Sequence, residues 1–440
     1  MKTLKILNQS ACCDPSTGCC TPDSTLPVAI IGAGPVGLAA AAHLVSRKQA
    51  FILFEKGDEV GANIRTWGHV TLFSPWQYNI DTAAKGLLQQ TEWIEPNGEE
   101  LPTGNEIIDQ YLTPLSGLKE IKPFIYTNHQ VIAISRKNSD KMKSKDRNQN
   151  PFVLYVEAAG EVKSFEVRAI LDATGTWGNP NPAHSNGVWL PIEKALKERI
   201  DYHIPNIETN ETLYANKKIA VVGGGHSAIN SLLNVVALKE KAPNTEITWI
   251  LRKENIEMAY GGEVNDELAA RGELGARIRQ LVEEEKIQVV TPFLITSLKD
   301  EGKISIVGTS HGEELVVEGF DRLIVNTGSR PDYALNAELR CDIDPVTESV
   351  IALAPLIDPN EHSCGTVKPH GETELRQSEQ GFYVVGAKSY GRAPTFLMAT
   401  GYEQVRSIAA FLAGDVKSSK LVELNLPETG VCNSGLGGCC

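Results

Sequence analysis

Cysteine is scarce in this chain, and it is scarce in an uneven way. Nine cysteines occur in 440 residues, and none stands between Cys20 and Cys341. A fold stapled throughout by disulfides is therefore excluded. Long apolar runs are also missing. The best candidate, "PVAIIGAGPVGLAAAAHL", is broken by Gly and Pro, so it does not reach the roughly 18 apolar residues of a membrane helix. The opening "MKTLKILNQSACCD" has too short an apolar stretch for a secretory leader, which gives a cytoplasmic expectation in which thiols stay reduced. Positive charge is in deficit as well: 42 Lys and Arg against 55 Asp and Glu leave a formal net charge of -13. Nucleic acid and anionic membrane are thereby disfavoured as partners, since both reward clustered Lys and Arg. Small ligands remain. With 42% hydrophobic and 22% charged residues the chain is compositionally globular. Its length exceeds one comfortable core, so two domains are expected, one inserted into the other.

What the sequence does hold is one pattern, used twice. "PVAIIGAGPVGLAAAAHLVSRKQAFILFEK" reads as an apolar strand, a turn with Gly32, Gly34 and Gly37, an alanine-rich helix and a second strand from Phe51 to Phe54. That glycine spacing suits a tight turn, close approach of backbone to a pyrophosphate, and close helix-on-strand packing. The phosphates would rest on the helix N-terminus, where free N-H groups and the dipole favour anions. Glu55, 23 residues after Gly32, ends the second strand, where an acid hydrogen-bonds a ribose 2'-hydroxyl and repels a 2'-phosphate.

The second copy, "KKIAVVGGGHSAINSLLNVVALKEKAPNTEITWILRK", has Gly223, Gly224 and Gly225 in the turn and Ala228 at the third glycine position. Arg252 and Lys253 replace the acid and suit the 2'-phosphate of NADPH. Opposite charge preferences at two sites suggest two dinucleotides, FAD in the first unit and NADPH in the second. The strand ends "ATG" (173–175) and "NTG" (326–328) bracket the second unit and read as crossings between domains. A hairpin from "HQVIAISRK" and "PFVLYVEAAG" is expected, joined by a solvated polar loop. A C-terminal helix is expected to begin near Pro394, since Pro favours the first helical position.

The order "GAGPVG", Glu55, "ATGTW", "GGGHSA", Arg252, "NTG" and "VVGAKSYGRAPTF" resembles the two-dinucleotide flavoproteins, the superfamily of flavin-containing monooxygenases and thioredoxin-reductase-like enzymes. The resemblance spans about residues 26 to 414. It implies an α/β fold of two Rossmann-like dinucleotide-binding domains, the NADPH domain inserted into the FAD domain. The expected limits are a Cys-rich tail at 1–25, the FAD domain at 26–211 and 331–414, the NADPH domain at 212–330, and a second Cys-rich tail at 415–440. The resemblance assigns FAD contacts to Gly32, Gly34, Pro35, Gly37, Glu55, Lys56, Arg65, Trp67, Thr174, Gly175, Gly386 and Thr395. It assigns NADPH contacts to Gly223, Gly225, Ser227, Arg252 and Lys253. One departure stands out: the family often has Gly-Asp where this chain has Gly386-Ala387, which puts the last flavin contact in doubt.

A second departure bears on chemistry. The disulfide reductases of the superfamily carry a redox Cys pair beside the flavin, and "GANIRTWGHVTLFSPWQYN" and "GGGHSAINSLL" contain none. Reduced flavin must then pass electrons to something that reaches it directly, and the monooxygenase route, through a flavin hydroperoxide and molecular oxygen, supplies one. No side chain is assigned as a catalyst. Cys12, Cys13, Cys19 and Cys20, with Cys432, Cys439 and Cys440, form two soft-ligand clusters at the ends. Their combination with the flavoprotein motifs resembles the monooxygenases of bacterial arsenic-resistance operons, which implies oxidation of a trivalent arsenical, arsenite or methylarsenite. Other readings stay open. The four N-terminal thiolates suit a structural zinc, or the tails hold nothing; the fold also serves an NADPH-dependent metal or disulfide reductase; and a metalloid-sequestering or sensing thiol protein is a reading of another class. A homodimer is left open. Cys341 and Cys364 read as packing residues, and His69, His184 and His226 as structural ones.

Overall fold

The computed structural model describes residues 26–261, 269–358, 369–394 and 396–424. The seven tail cysteines, Cys364 and Thr395 lie outside the described residues.

Two five-stranded parallel sheets organise the chain, each built by the same order of elements. The first begins with β1 (Val28–Ile31), α1 (Pro35–Ser46) and β2 (Phe51–Phe54), and continues through β3 (Ile125–Tyr126). Three antiparallel strands follow, β4 (Gln130–Arg136), β5 (Phe152–Ala158) and β6 (Glu161–Val167), before β7 (Ala169–Asp172) returns beside β1. Every residue of β1, β2 and β7 is buried, as expected of parallel strands covered on both faces. The second sheet holds β8 (Ile200–Asp201), β9 (Lys218–Val222), β10 (Glu246–Ile250) and β11 (Gln288–Val290), with α2 (His226–Lys241) and α3 (Ala269–Glu283) between strands. A second antiparallel trio, β12 (Leu294–Asp300), β13 (Ile304–Ser310) and β14 (Glu313–Phe320), leads to β15 (Arg322–Val325), which returns beside β9. The chain then closes the first sheet with β16 (Phe382–Val384) and covers it with α4 (Met398–Leu412). The strand orders are β16-β7-β1-β2-β3 and β11-β10-β9-β15-β8.

The α/β class, two Rossmann-like units and the insertion of one within the other follow from this strand membership. Three particulars differ from expectation. β8 pairs with β15, and Ala183, Leu196 and Ile200 pack into the core beneath the second sheet, so the chain crosses over well before the 211/212 limit. The helix α4 begins at Met398, not near Pro394. Leu397, the N-cap, keeps an extended backbone (φ −116°, ψ 150°), so the helical run does not reach back through it to Pro394. The polar connector after β4 is anchored, because Arg147, 2% exposed, reaches the buried Glu379 at 2.7 Å. Arg136 meets the same carboxylate at 2.7 Å.

The alanines of α1 explain how it sits. Ala39 to Ala42 are fully buried, because α1 is clamped between the first sheet and α4. Small side chains let the two helices close, and a methyl group on Gly401 of α4 would lie 2.6 Å from Val36 Cγ2. The N-terminus of α1 is thereby fixed at the carboxyl edge of β1 and β7, the edge where parallel sheets bind ligands.

Candidate functional site: two glycine turns and a groove between the units

The two turns are built alike. Gly32 has φ +100°, and a methyl group there would stand 2.7 Å from Ala173 O. Gly223 has φ +131°, and the corresponding distance to Asn326 O is 2.2 Å. In both units the strand end that follows the antiparallel trio donates back to the first strand: Ala173 N-H to Ile31 O at 2.9 Å, Asn326 N-H to Val222 O at 2.8 Å. The "ATG" and "NTG" segments are thus equivalent floors beneath the two turns. Ser231 of α2 adds a buried hydrogen bond to Asn326 Oδ1 at 2.7 Å.

Gly34 and Gly225 differ from these. They precede α1 and α2 directly, neither helix has a side-chain cap or an acid in its first turn, and a methyl group on either glycine would meet no protein atom within 4 Å. Nothing in the protein itself requires glycine there. Space beside uncapped amides at a helix N-terminus is what a dinucleotide pyrophosphate occupies, so both turns fit such a ligand.

The flanking charges carry the distinction between the sites. Glu55 is 9% exposed and accepts from Ala33 N-H (2.7 Å) and Gly57 N-H (2.8 Å), so its carboxylate is tied to the first turn. In the second unit Arg252 is exposed and lines the groove described below, while Lys253 Nζ donates to Met258 O at 2.6 Å. Ser227 is exposed on the first turn of α2. Lys56 Nζ would stand 3.7 Å from a methyl group on Gly178, on the loop after "ATG". Arg65, by contrast, is engaged by Glu59, Asp109 and Asn105 on the surface, and those carboxylates raise its pKa further above its ordinary value. Trp67 packs 6.0 Å from Trp177, which stacks on His203 at 3.8 Å. Gly386 takes φ +69°, abuts Val36 at the start of α1, and donates to Gln404 Oε1 at 2.7 Å.

A groove of about 1230 Å³ joins the units. Its walls run from Gly223–Gly225 and Arg252 to Thr176, Ala387 and Phe396. Phe73 of the first unit lies 5.5 Å from His226 at the start of α2 and 6.0 Å under the guanidinium of Arg271. The two crossing segments are hydrogen-bonded to each other, Asn181 N-H to Gly328 O (2.9 Å) and Ser329 Oγ to Thr176 Oγ1 (3.0 Å), which holds the units in register.

Among the described residues the one cysteine is Cys341, and burial, reinforced by the negative charge of Asp172, pushes its thiol up to about 12. His69 is held below its ordinary pKa by burial, with Nε2 unpartnered; His184 accepts from Asn186 N-H. The reading of the sequence missed a fully buried ion pair, Asp172 with Lys388, at 2.7 Å. A charged residue closing the otherwise apolar strand "AILD" was the available signal.

A chain with two Rossmann-like units facing one groove is a dinucleotide-dependent oxidoreductase. Residues 29–348 match the pyridine nucleotide-disulphide oxidoreductase family, and the chain belongs to it. FAD and NADPH are the cofactors of this pairing. A ferredoxin–NADP reductase of Lactobacillus gasseri is 24% identical over 316 residues, covering 71% of this chain and 76% of the relative. The bacillithiol disulfide reductase YpdA of Bacillus cereus superposes with TM-score 0.65 at 19% identity, covering 88% of this chain and 99% of that one. The cadaverine monooxygenase DfoA of Erwinia amylovora, solved with FAD, gives TM-score 0.62 at 13% identity over 91% of this chain and 97% of that one. The fold is thus common to reductases and monooxygenases, and it does not choose between them.

Proposed function

We propose that this chain is an NADPH-dependent flavoprotein monooxygenase that oxidises a trivalent thiophilic metalloid, arsenite or methylarsenite, to the pentavalent form. The observation that carries the reading is the absence of a dithiol at either glycine turn, together with the raised pKa of the half-buried Cys341, the one described cysteine. A thiol with a pKa near 12 is inert as a nucleophile at neutral pH. Electrons therefore leave the flavin for an acceptor that reaches it directly. In the balanced reaction NADPH supplies two electrons and the metalloid two more. Molecular oxygen takes all four, placing one atom on the metalloid and releasing the other as water.

FAD, when bound, would supply the two-electron relay from NADPH to oxygen. The chain's own residues bind, orient and exclude water. The amides after Gly34 hold the FAD pyrophosphate, Glu55 the adenosine ribose, and the loop at Thr174 and Gly175 borders the same edge. Gly225 and Ser227 receive the NADPH pyrophosphate, with Arg252 and Lys253 on the 2'-phosphate. Phe73, Ala387 and Phe396 line the groove between the two units. Cys12, Cys13, Cys19 and Cys20, and Cys432, Cys439 and Cys440, collect the soft substrate.

The test is NADPH consumption by purified, FAD-loaded protein with arsenite, methylarsenite, antimonite or Hg(II), with and without oxygen. Stimulation by a trivalent arsenical only in oxygen supports the proposal. Stimulation that persists without oxygen assigns a metal or disulfide reductase instead, and no stimulation by any of them removes the metalloid.

A further inference from the structure

Among the described residues Lys388 is the largest charged side chain that is fully buried, with no exposed surface, and its partner Asp172 is fully buried too. Lysine almost never lies fully buried unless paired, and such pairs are seldom kept for stability alone, since apolar replacements of similar volume commonly do as well. Its position gives it a task. Asp172 is the last residue of β7, at the ligand-binding edge of the first sheet, directly before the "ATG" floor of the FAD turn. Lys388 belongs to the turn that follows β16, between Gly386, which abuts Val36 of α1, and Gly391.

The ammonium joins these pieces. Lys388 Nζ donates to Asp172 Oδ2 at 2.7 Å and to Thr174 Oγ1 at 3.0 Å. Asp172 Oδ1 in turn accepts from Thr174 Oγ1 (2.7 Å) and Thr174 N-H (3.2 Å), and Asn336 Nδ2 donates to Oδ2 at 3.1 Å. Burial by itself pushes the Asp172 carboxyl upward, but the ammonium and these donors hold it below its ordinary range, so it is an anion here. The ammonium also faces the Tyr333 ring, 5.2 Å from its centre. The buried Asn336 Oδ1 has no hydrogen-bond partner among the described residues.

We propose that Lys388 is a positioning residue of the FAD site, locking the 173–176 loop to the 386–391 turn so that Thr174 and the backbone beside Ala387 meet the bound flavin in one geometry. It does here, from beneath, what an Asp next to Gly386 would do by direct contact. The inference rests on the assignment of FAD to the first glycine turn.

The test measures FAD affinity of apo-protein by flavin fluorescence quenching, with thermal unfolding of the apo-protein alongside. Lys388→Met should weaken FAD binding by at least roughly tenfold, the scale of lost supporting contacts at built sites. It should also alter the visible circular dichroism of the residual bound flavin. The Asp172→Asn/Lys388→Met pair removes both charges, restores apo-protein unfolding to near the parent, and should still bind FAD weakly. Parent-like FAD affinity in that pair overturns the proposal and leaves only a structural ion pair. Gly34→Val separates the two assignments. Weaker FAD binding in Gly34→Val with parent affinity in the double variant removes Lys388 alone, while parent affinity in both removes FAD from this turn.

Discussion

A methyl group on Gly37 would lie 1.9 Å from the carbonyl oxygen of Gly32, closer than any real contact allows. The first turn of α1 therefore rests on the backbone of the glycine turn itself, and the helix N-terminus cannot approach β1 with any larger residue at 37. Gly37→Ala should destabilise the apo-protein by about 1–3 kcal/mol through overpacking and weaken FAD binding further. Thermal unfolding with and without FAD separates the two effects. An unchanged unfolding temperature would show that the turn relaxes freely.

Gly225 behaves in the opposite way, since space surrounds it. Gly225→Val should leave unfolding of the apo-protein nearly unchanged and raise the Kd for NADPH by calorimetry. Equal loss of stability and affinity would mean that the open space is not a ligand's.

Arg252 is exposed and lines the groove. Arg252→Ala should therefore cost NADPH affinity. One charged hydrogen bond to a phosphate is worth about 1.5–3 kcal/mol, an effect of about ten- to a hundredfold, and NADH binding should not change. A loss shared equally by NADH would place the 2'-phosphate elsewhere.

Glu379 lies between Arg136 and Arg147, and although burial pushes its carboxyl up, the hydrogen bonds from Arg147 and Arg136 hold it below the ordinary range. A carboxylate depressed in the folded state stabilises in full above about pH 4.3, the ordinary glutamate value, and loses that contribution as pH falls through the folded value. Glu379→Gln should cost about 3–5 kcal/mol at neutral pH, because it leaves two buried guanidiniums short of their anion, and should flatten the acid limb of stability. Urea unfolding at pH 7 and pH 4 reads both.

Cys341 should take no part in turnover. Cys341→Ser is expected to keep parent kinetics. Peptide mapping after brief iodoacetamide treatment at pH 8 should find the Cys341 peptide unmodified in the folded protein, since burial raises the thiol to about 12. Rapid alkylation would mean that this thiol is reached.

What the sequence determined on its own was local. Glycines at 32, 34 and 37, apolar four-residue strands, and Glu55 against Arg252 mark two glycine turns with opposite flanking charges, because a turn, a helix N-terminus and a strand end are each written within about thirty consecutive residues. Tertiary structure decided what joins distant segments. Asp172 and Lys388 are 216 residues apart, Arg136 and Glu379 243 apart, and no periodicity marks either pair before the chain folds. The start of α4 at Met398 is of the same kind: Pro394 is a sound local signal, but Leu397 is extended in the folded chain and the helix begins only after it.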